Sequence, residues 1–513
     1  MKPSNELFDL IKSLTKSEKR FFKLQSSLQG GDKNYVRIFD LIDDMEEYDE
    51  ELVKDTFKKE RFIKHLPSEK NHLYKLILKA LRGYYGENSI SSFLQQEIKN
   101  IEILYSKGLF HECSKFLQRA KKIAAKHDRF YYWFELLHWE KTLLEDEFED
   151  GRFVDLDALI QEEQDVISKL RNLAEYHVLY SKINYVFRSG GYARTEENKK
   201  LVDEIMNHPL IQGKDTALSS TAATICRYTQ GFCSLANGDY DTALLRFHRV
   251  IEILDEEPLL RSDLSKRYIR TLNNIVKCYL YLGKFDDAQK HIDIIRSMSN
   301  EEGFTSPDMI ALIFKNADLM ELQVLQRTGK FEEAVNKAEI LAVKLKQYES
   351  MIHKEYLLSF YFGISYCYFG VGEYNKALHW LNRALNDHDG SLRQDFYSYI
   401  RLYNLAVHYE LGNNSLLQYS IQSTTRYLQK RMRDFPVEKV IIQHFKKLIR
   451  ADSLAEKKRA FKRFQEHLLS VIQTPEDKVL LRYFDYVSWL ESKVEGISMS
   501  ESVKRDSMHQ QAI

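Results

Sequence analysis

Proline and glycine are scarce, at 7 and 20 residues in a chain of 513. So few chain breakers suit a nearly all-helical protein. Cysteine is scarce too. The five, Cys113, Cys226, Cys233, Cys278 and Cys367, are odd in number and scattered, which argues against a disulfide framework or a zinc site and for small buried core residues. Net charge is zero, so nothing global points to nucleic acid or to a membrane surface. No apolar run reaches the roughly 18 residues that a membrane span needs. The opening Met1-Lys2-Pro3-Ser4-Asn5-Glu6 carries no apolar signal segment, and a cytoplasmic location is expected.

Chemical motifs are missing as well. Arg327-Thr328-Gly329-Lys330 has the Gly-Lys pair of a phosphate loop without the earlier glycine, and Asp387-His388-Asp389-Gly390 lacks the spaced ligands of a calcium loop. There is no His-Glu-x-x-His, no Gly-x-Ser-x-Gly and no Cys-x-x-Cys. The sequence therefore predicts no enzyme, no catalytic residue, no metal and no cofactor.

What the chain does have is a recurring turn. Gly372-Glu373-Tyr374-Asn375-Lys376-Ala377 has close copies at Gly238 to Ala243, Gly283 to Ala288 and Gly329 to Ala334. Each reads as a helix end, a tight turn and a helix start: glycine admits the left-handed backbone, the aromatic packs into the pair, and alanine lets helices approach. Gly108 to Cys113 fits well, while Gly151, Gly191 and Gly412 fit loosely. The eight glycines are spaced by 43, 40, 47, 45, 46, 43 and 40 residues, a period that marks a repeat protein.

The best copies resemble the tetratricopeptide repeat family. With Ala377 as the family's small residue of the second helix, Gly372 and Tyr374 fall on its turn, Tyr368 on its first-helix aromatic and Ala384 on its later small site; Gly231 takes the small first-helix site of the copy around Ala243. The period is about 43 rather than about 34, and the closing proline is mostly missing, as in the tetratricopeptide-like domains of bacterial peptide-sensing regulators. The resemblance covers roughly 95–430. It implies an all-α, right-handed α-solenoid of stacked antiparallel helix pairs, with an N-terminal helical domain and a C-terminal helical cap.

Residues 1–90 predict a distinct helical domain. Leu7 to Leu14, Phe21 to Leu28, Tyr35 to Ile42, Leu52 to Phe57 and Ser68 to Arg82 form its helices, Thr15 and Glu18 make a capping box, and Gly83 and Gly86 make a hinge. Between Lys54 and Arg82 nine basic residues face three acidic ones, a nucleic-acid surface or, more plainly, a solvated face. The repeats run over 91–430 and a helical cap over 431–495, with Pro475 starting the helix of Tyr483, Phe484 and Trp489. A disordered tail is expected over 496–513. Residues 135–165 hold twelve acidic and two basic residues, and 426–463 hold thirteen basic and four acidic; solvated faces are the plainer reading of both.

In the family the first helices build a concave binding face. Carried over by position, the resemblance nominates Tyr228, Phe232 and Leu235, then Arg270, Asn273, Asn274 and Lys277, then Asn316, Gln323 and Arg327, then Phe362, Tyr366 and Phe369. The family's carboxylate clamp is not completed, because Leu319 and Phe232 stand among these positions. Asparagine suits backbone amides, and lysine and arginine suit carboxylates. The expected function is a scaffold or adaptor that holds a protein or peptide in this groove. The alternative is a regulator whose N-terminal region binds nucleic acid under control of a peptide on the repeats. Neither partner identity nor oligomeric state is assigned.

Overall fold

The computed structural model describes residues 5–27, 34–85, 89–146, 153–190, 193, 195–386, 394–431, 433, 435–474 and 477–511. Every regular element among them is helical, and none is long and apolar enough to cross a membrane. Two compact units emerge, 1–167 and 168–513. Gly30, Gly31, Gly86, Gly151, Gly191 and the Asp387–Gly390 loop lie outside the described residues.

The first unit opens with α1 (Glu6–Ser13), α2 (Lys16–Ser27), α3 (Asn34–Asp44), α4 (Glu50–Thr56) and α5 (Leu66–Tyr84). Leu7, Ile11, Phe22, Ile38, Phe39, Val53, Leu73 and Ile77 close a core of their own. The Thr15 amide donates to Glu18 at 2.5 Å and the Glu18 amide to Thr15 Oγ1 at 3.3 Å, making the expected capping box at the start of α2. One expectation fails here: Gly83 is no hinge but a helical residue of α5 against Phe21. The basic run is partly neutralised, since Lys54 pairs with Glu50 and Glu51, and Lys70 with Glu50.

Next come α6 (Ile90–Ser106), α7 (Phe110–Lys126), α8 (Phe130–Asp146) and α9 (Phe153–Gly190). α9 is a single helix of 38 residues where the glycine count suggests a pair, because no proline or glycine interrupts it before Gly190. In the acidic stretch, Glu140 and Glu162 both bind Lys121, and Glu163 binds Lys141 at 2.6 Å.

The second unit holds α10 (Glu196–Met206), α11 (Pro209–Gln212), α12 (Ser220–Ala236), α13 (Tyr240–Glu256), α14 (Pro258–Asp263), α15 (Ser265–Tyr281), α16 (Phe285–Ser297), α17 (Pro307–Arg327), α18 (Phe331–Tyr348), α19 (Lys354–Gly370), α20 (Tyr374–Asn386), α21 (Gln394–Glu410), α22 (Asn414–Lys430), α23 (Pro436–Leu448) and α24 (Leu454–Val471). From α12 onward antiparallel pairs stack on one another, α12 with α13, α15 with α16, α17 with α18, α19 with α20 and α21 with α22. This is an all-α solenoid.

The turn chemistry is uniform. Gly238, Gly283, Gly329, Gly372 and Gly412 all take positive φ, between 68° and 82°, and the residue after each donates its amide five positions back, as Lys284 does to the Tyr279 carbonyl at 2.9 Å and Glu373 to that of Tyr368 at 2.9 Å. That pairing satisfies carbonyls left over at a helix end. Ala243, Ala288, Ala334 and Ala377 are fully buried, and the five free cysteines are buried too. At Gly231 an added Cβ would stand 2.7 Å from the Phe247 ring, which is why a small residue is needed where the pair closes.

The C-terminal segment departs from expectation. A 3-10 turn over Asp477–Arg482 precedes α25 (Tyr486–Glu495), so the helix breaks between Arg482 and Tyr486 instead of running on from Pro475, which lies outside the described residues. The expected disordered tail is instead α26 (Met499–Gln511). Its few apolar residues suffice, because Met499 and Val503 are both buried and Ser500 Oγ donates to the Gly329 carbonyl at 2.7 Å.

A groove lined by the first helices

The five first helices α12, α15, α17, α19 and α21 contribute side chains to one groove of ≈ 220 Å³. On α15, residues at intervals of three and four share a face, so Asn273, Asn274 and Lys277 enter it together, joined by Asn316 and Gln323 of α17 and Phe232 of α12. Leu235 and Phe362 line it too, so eight of the nominated residues meet.

Their roles divide. Asn274 Nδ2 donates to Tyr228 Oη at 3.1 Å, tying α15 to α12, and Tyr228 packs edge-on to Phe232 with centroids 4.9 Å apart. Burial raises the Tyr228 hydroxyl pKa well above its usual value, so it stays neutral. Asn273 Oδ1 and Asn316 Nδ2 have no partner among the described residues, although the two side chains are only 8% and 6% exposed. A buried polar atom left unmatched costs about 1–3 kcal/mol. One is an acceptor, the other a donor.

Arg270 stands apart, exposed in an adjoining hollow with Tyr180, Tyr228 and Arg267. Arg327 and Tyr366 are enclosed by the protein's own C-terminal segment, a correction to their expected place on an open face. Arg327 Nη2 donates to the Arg482 carbonyl at 3.5 Å and its guanidinium lies 5.5 Å from the Tyr281 ring; Tyr366 Oη accepts from the Asp485 amide at 3.4 Å. Phe484 packs on Tyr366, Phe369 and Tyr403, with centroids 5.3, 5.1 and 4.9 Å apart. The aromatic first helices at this end fill their own space with the chain's terminus.

Residues absent from the sequence nomination complete the site. Arg482 reaches Tyr240 Oη and places its guanidinium 5.2 Å from the Tyr240 ring and 4.6 Å from the Tyr281 ring, while Tyr483 stacks on Tyr399 at 4.4 Å. Both line the groove. Lys315, one residue before Asn316, lies 3.5 Å over the Tyr356 ring. Burial, with Arg270 and Lys277 nearby, pulls its pKa down to about 7. No local motif announces Arg482, which meets Tyr240 only through the fold.

No protein-family model matches the chain, and no curated protein matches it. Among solved structures it is similar to a Rap protein complexed with competence and sporulation factor, at 10% identity, over 76% of this chain and 99% of that chain, with a TM-score of 0.43.

Proposed function

We infer that the protein is a non-catalytic scaffold or adaptor whose groove holds an extended protein or peptide segment. The observation that carries this reading is the buried, unmatched pair Asn273 Oδ1 and Asn316 Nδ2 on neighbouring first helices. A peptide backbone offers an N–H to the first and a carbonyl to the second, matching both without reading side chains. Phe232, Tyr356 and Tyr483 on the same walls supply apolar contact. The nucleic-acid alternative gains no comparable observation, since part of its basic run is bound by Glu50 and Glu51.

Panning a random-peptide display library against the full chain tests the reading. Peptides should enrich on the wild type and lose at least tenfold in affinity on Asn273→Ala/Asn316→Ala. A library that yields no peptide, or peptides indifferent to that double substitution, would contradict it.

A further inference from the structure

Some cations in the central repeats are answered by carboxylates. Arg261 pairs with Asp255 and Glu301, and Arg296 and Lys337 share Asp318 and Glu321. Three cations on the groove side are not. Arg267 donates to Thr224 Oγ1 at 2.6 Å, and neither it nor Arg270 or Lys315 has a carboxylate at ion-pair distance among the described residues.

Their placement follows from the helices. Arg267, Arg270, Asn274 and Lys277 succeed one another on α15 at steps of three and four, along one face, and Lys315 on α17 is close enough to Arg270 and Lys277 for both to disfavour its charge. Holding like charges together in half-buried surroundings is unfavourable unless something negative joins them. Asp263 lines the Arg267 and Arg270 hollow, and Glu355 lies near Lys315. Lys266, in the same hollow as Arg267 and Arg270, is held by Asp308 at 2.6 Å, which leaves Arg267, Arg270 and Lys315 as the three without an ion-paired carboxylate among the described residues.

Resting on the peptide-binding reading above, we propose that the groove selects acidic segments, with side-chain carboxylates of an extended peptide seated on Arg267 and Arg270 at one end and beside Lys315 and Lys277 at the other. The ten steps along the helix from Arg267 to Lys277 rise about 15 Å. An extended chain covers that in four to five residues, which sets the interval between the two acidic positions. The Asn273 and Asn316 pair takes the backbone between them, and the aromatic rings of Tyr228 and Tyr356 flank the charges. The unmatched amide pair in the groove matches a peptide backbone rather than a phosphodiester, which offers no donor.

The peptides enriched by wild-type protein supply the probe. They should carry Asp or Glu in excess of the input library, at positions four or five apart. Replacing those residues by Asn or Gln in the strongest peptide should weaken binding at least tenfold in fluorescence anisotropy at low salt. Arg270→Glu, at an exposed site, should weaken the acidic peptide by a similar factor and prefer its Lys-substituted counterpart; Lys315→Gln provides a second variant at the other end. Groove-dependent peptides without acidic bias, or an amide version that binds equally, overturn the charge selection while leaving peptide binding in place. No groove-dependent peptide at all removes both. A ten-residue thymidine oligonucleotide that binds through Arg270 more tightly than any selected peptide overturns the proposal in favour of nucleic acid.

Discussion

Gly370→Ala sets two opposed effects against each other. Gly370 is the last residue of α19, and a Cβ built there would lie 2.0 Å from Phe331 Cδ1 and 2.2 Å from Cγ. Ordinary carbon contacts begin near 3.5 Å, so the ring would have to withdraw by about 1.5 Å. It has little room. Phe331 is 1% exposed and packs edge-on to Tyr366 at 5.6 Å, which is itself packed against Phe484. Overpacking of this kind costs about 1–3 kcal/mol. Against it stands the helix preference for alanine over glycine, worth at most about 1 kcal/mol and less at a helix end. The clash should win, leaving the variant about 1–2 kcal/mol less stable in urea denaturation followed by far-ultraviolet circular dichroism. Phe331→Leu removes the ring edge, so the double variant should lose less than the two single losses added together. A Gly370→Ala protein at least as stable as wild type would show that the helix pair is not closed as described.

Other consequences are as specific. Gly283→Val forces a β-branched residue into a backbone with φ of 72° and should cost about 1–3 kcal/mol, read as a lowered midpoint in the same assay. Arg327→Glu should lower the thermal midpoint, because it breaks the contacts of Arg327 with the Arg482 carbonyl and the Tyr281 ring. For Lys315 the folded pKa of about 7 lies below the usual 10.5, so between those values the unfolded chain binds more protons. Wild-type stability relative to Lys315→Met should therefore rise as pH increases from about 7 to 10.5, in denaturation curves taken across that window.

Much of the repeat architecture was legible because its chemistry is local. A glycine at positive φ, an aromatic two residues on and an alanine five residues on recur at four of the turns that close a pair, so Gly238, Gly283, Gly329 and Gly372 could be read singly and by period. The long α9 was not legible, since Gly151 and Gly191 continued the spacing while the stretch between them lacked any breaker. The C-terminal segment escaped for another reason. The polar run after Gly496 is poor in apolar residues, yet Met499 and Val503 are buried and Ser500 reaches Gly329, remote in sequence. The same non-locality hid Arg482, which binds a tyrosine 242 positions away. Asn273, Asn274 and Lys277 were legible as one helix face, but only the fold distinguishes Asn274, committed to Tyr228, from Asn273, left unmatched.

The central claim is that a peptide lies along the first helices. Benzoylphenylalanine placed at Gln323, in the groove, and separately at Val343, an exposed site on the second helix α18, tests it most directly. Irradiation with a library-selected peptide should crosslink from position 323 and not from position 343. Crosslinking from 343 with none from 323 would contradict the account.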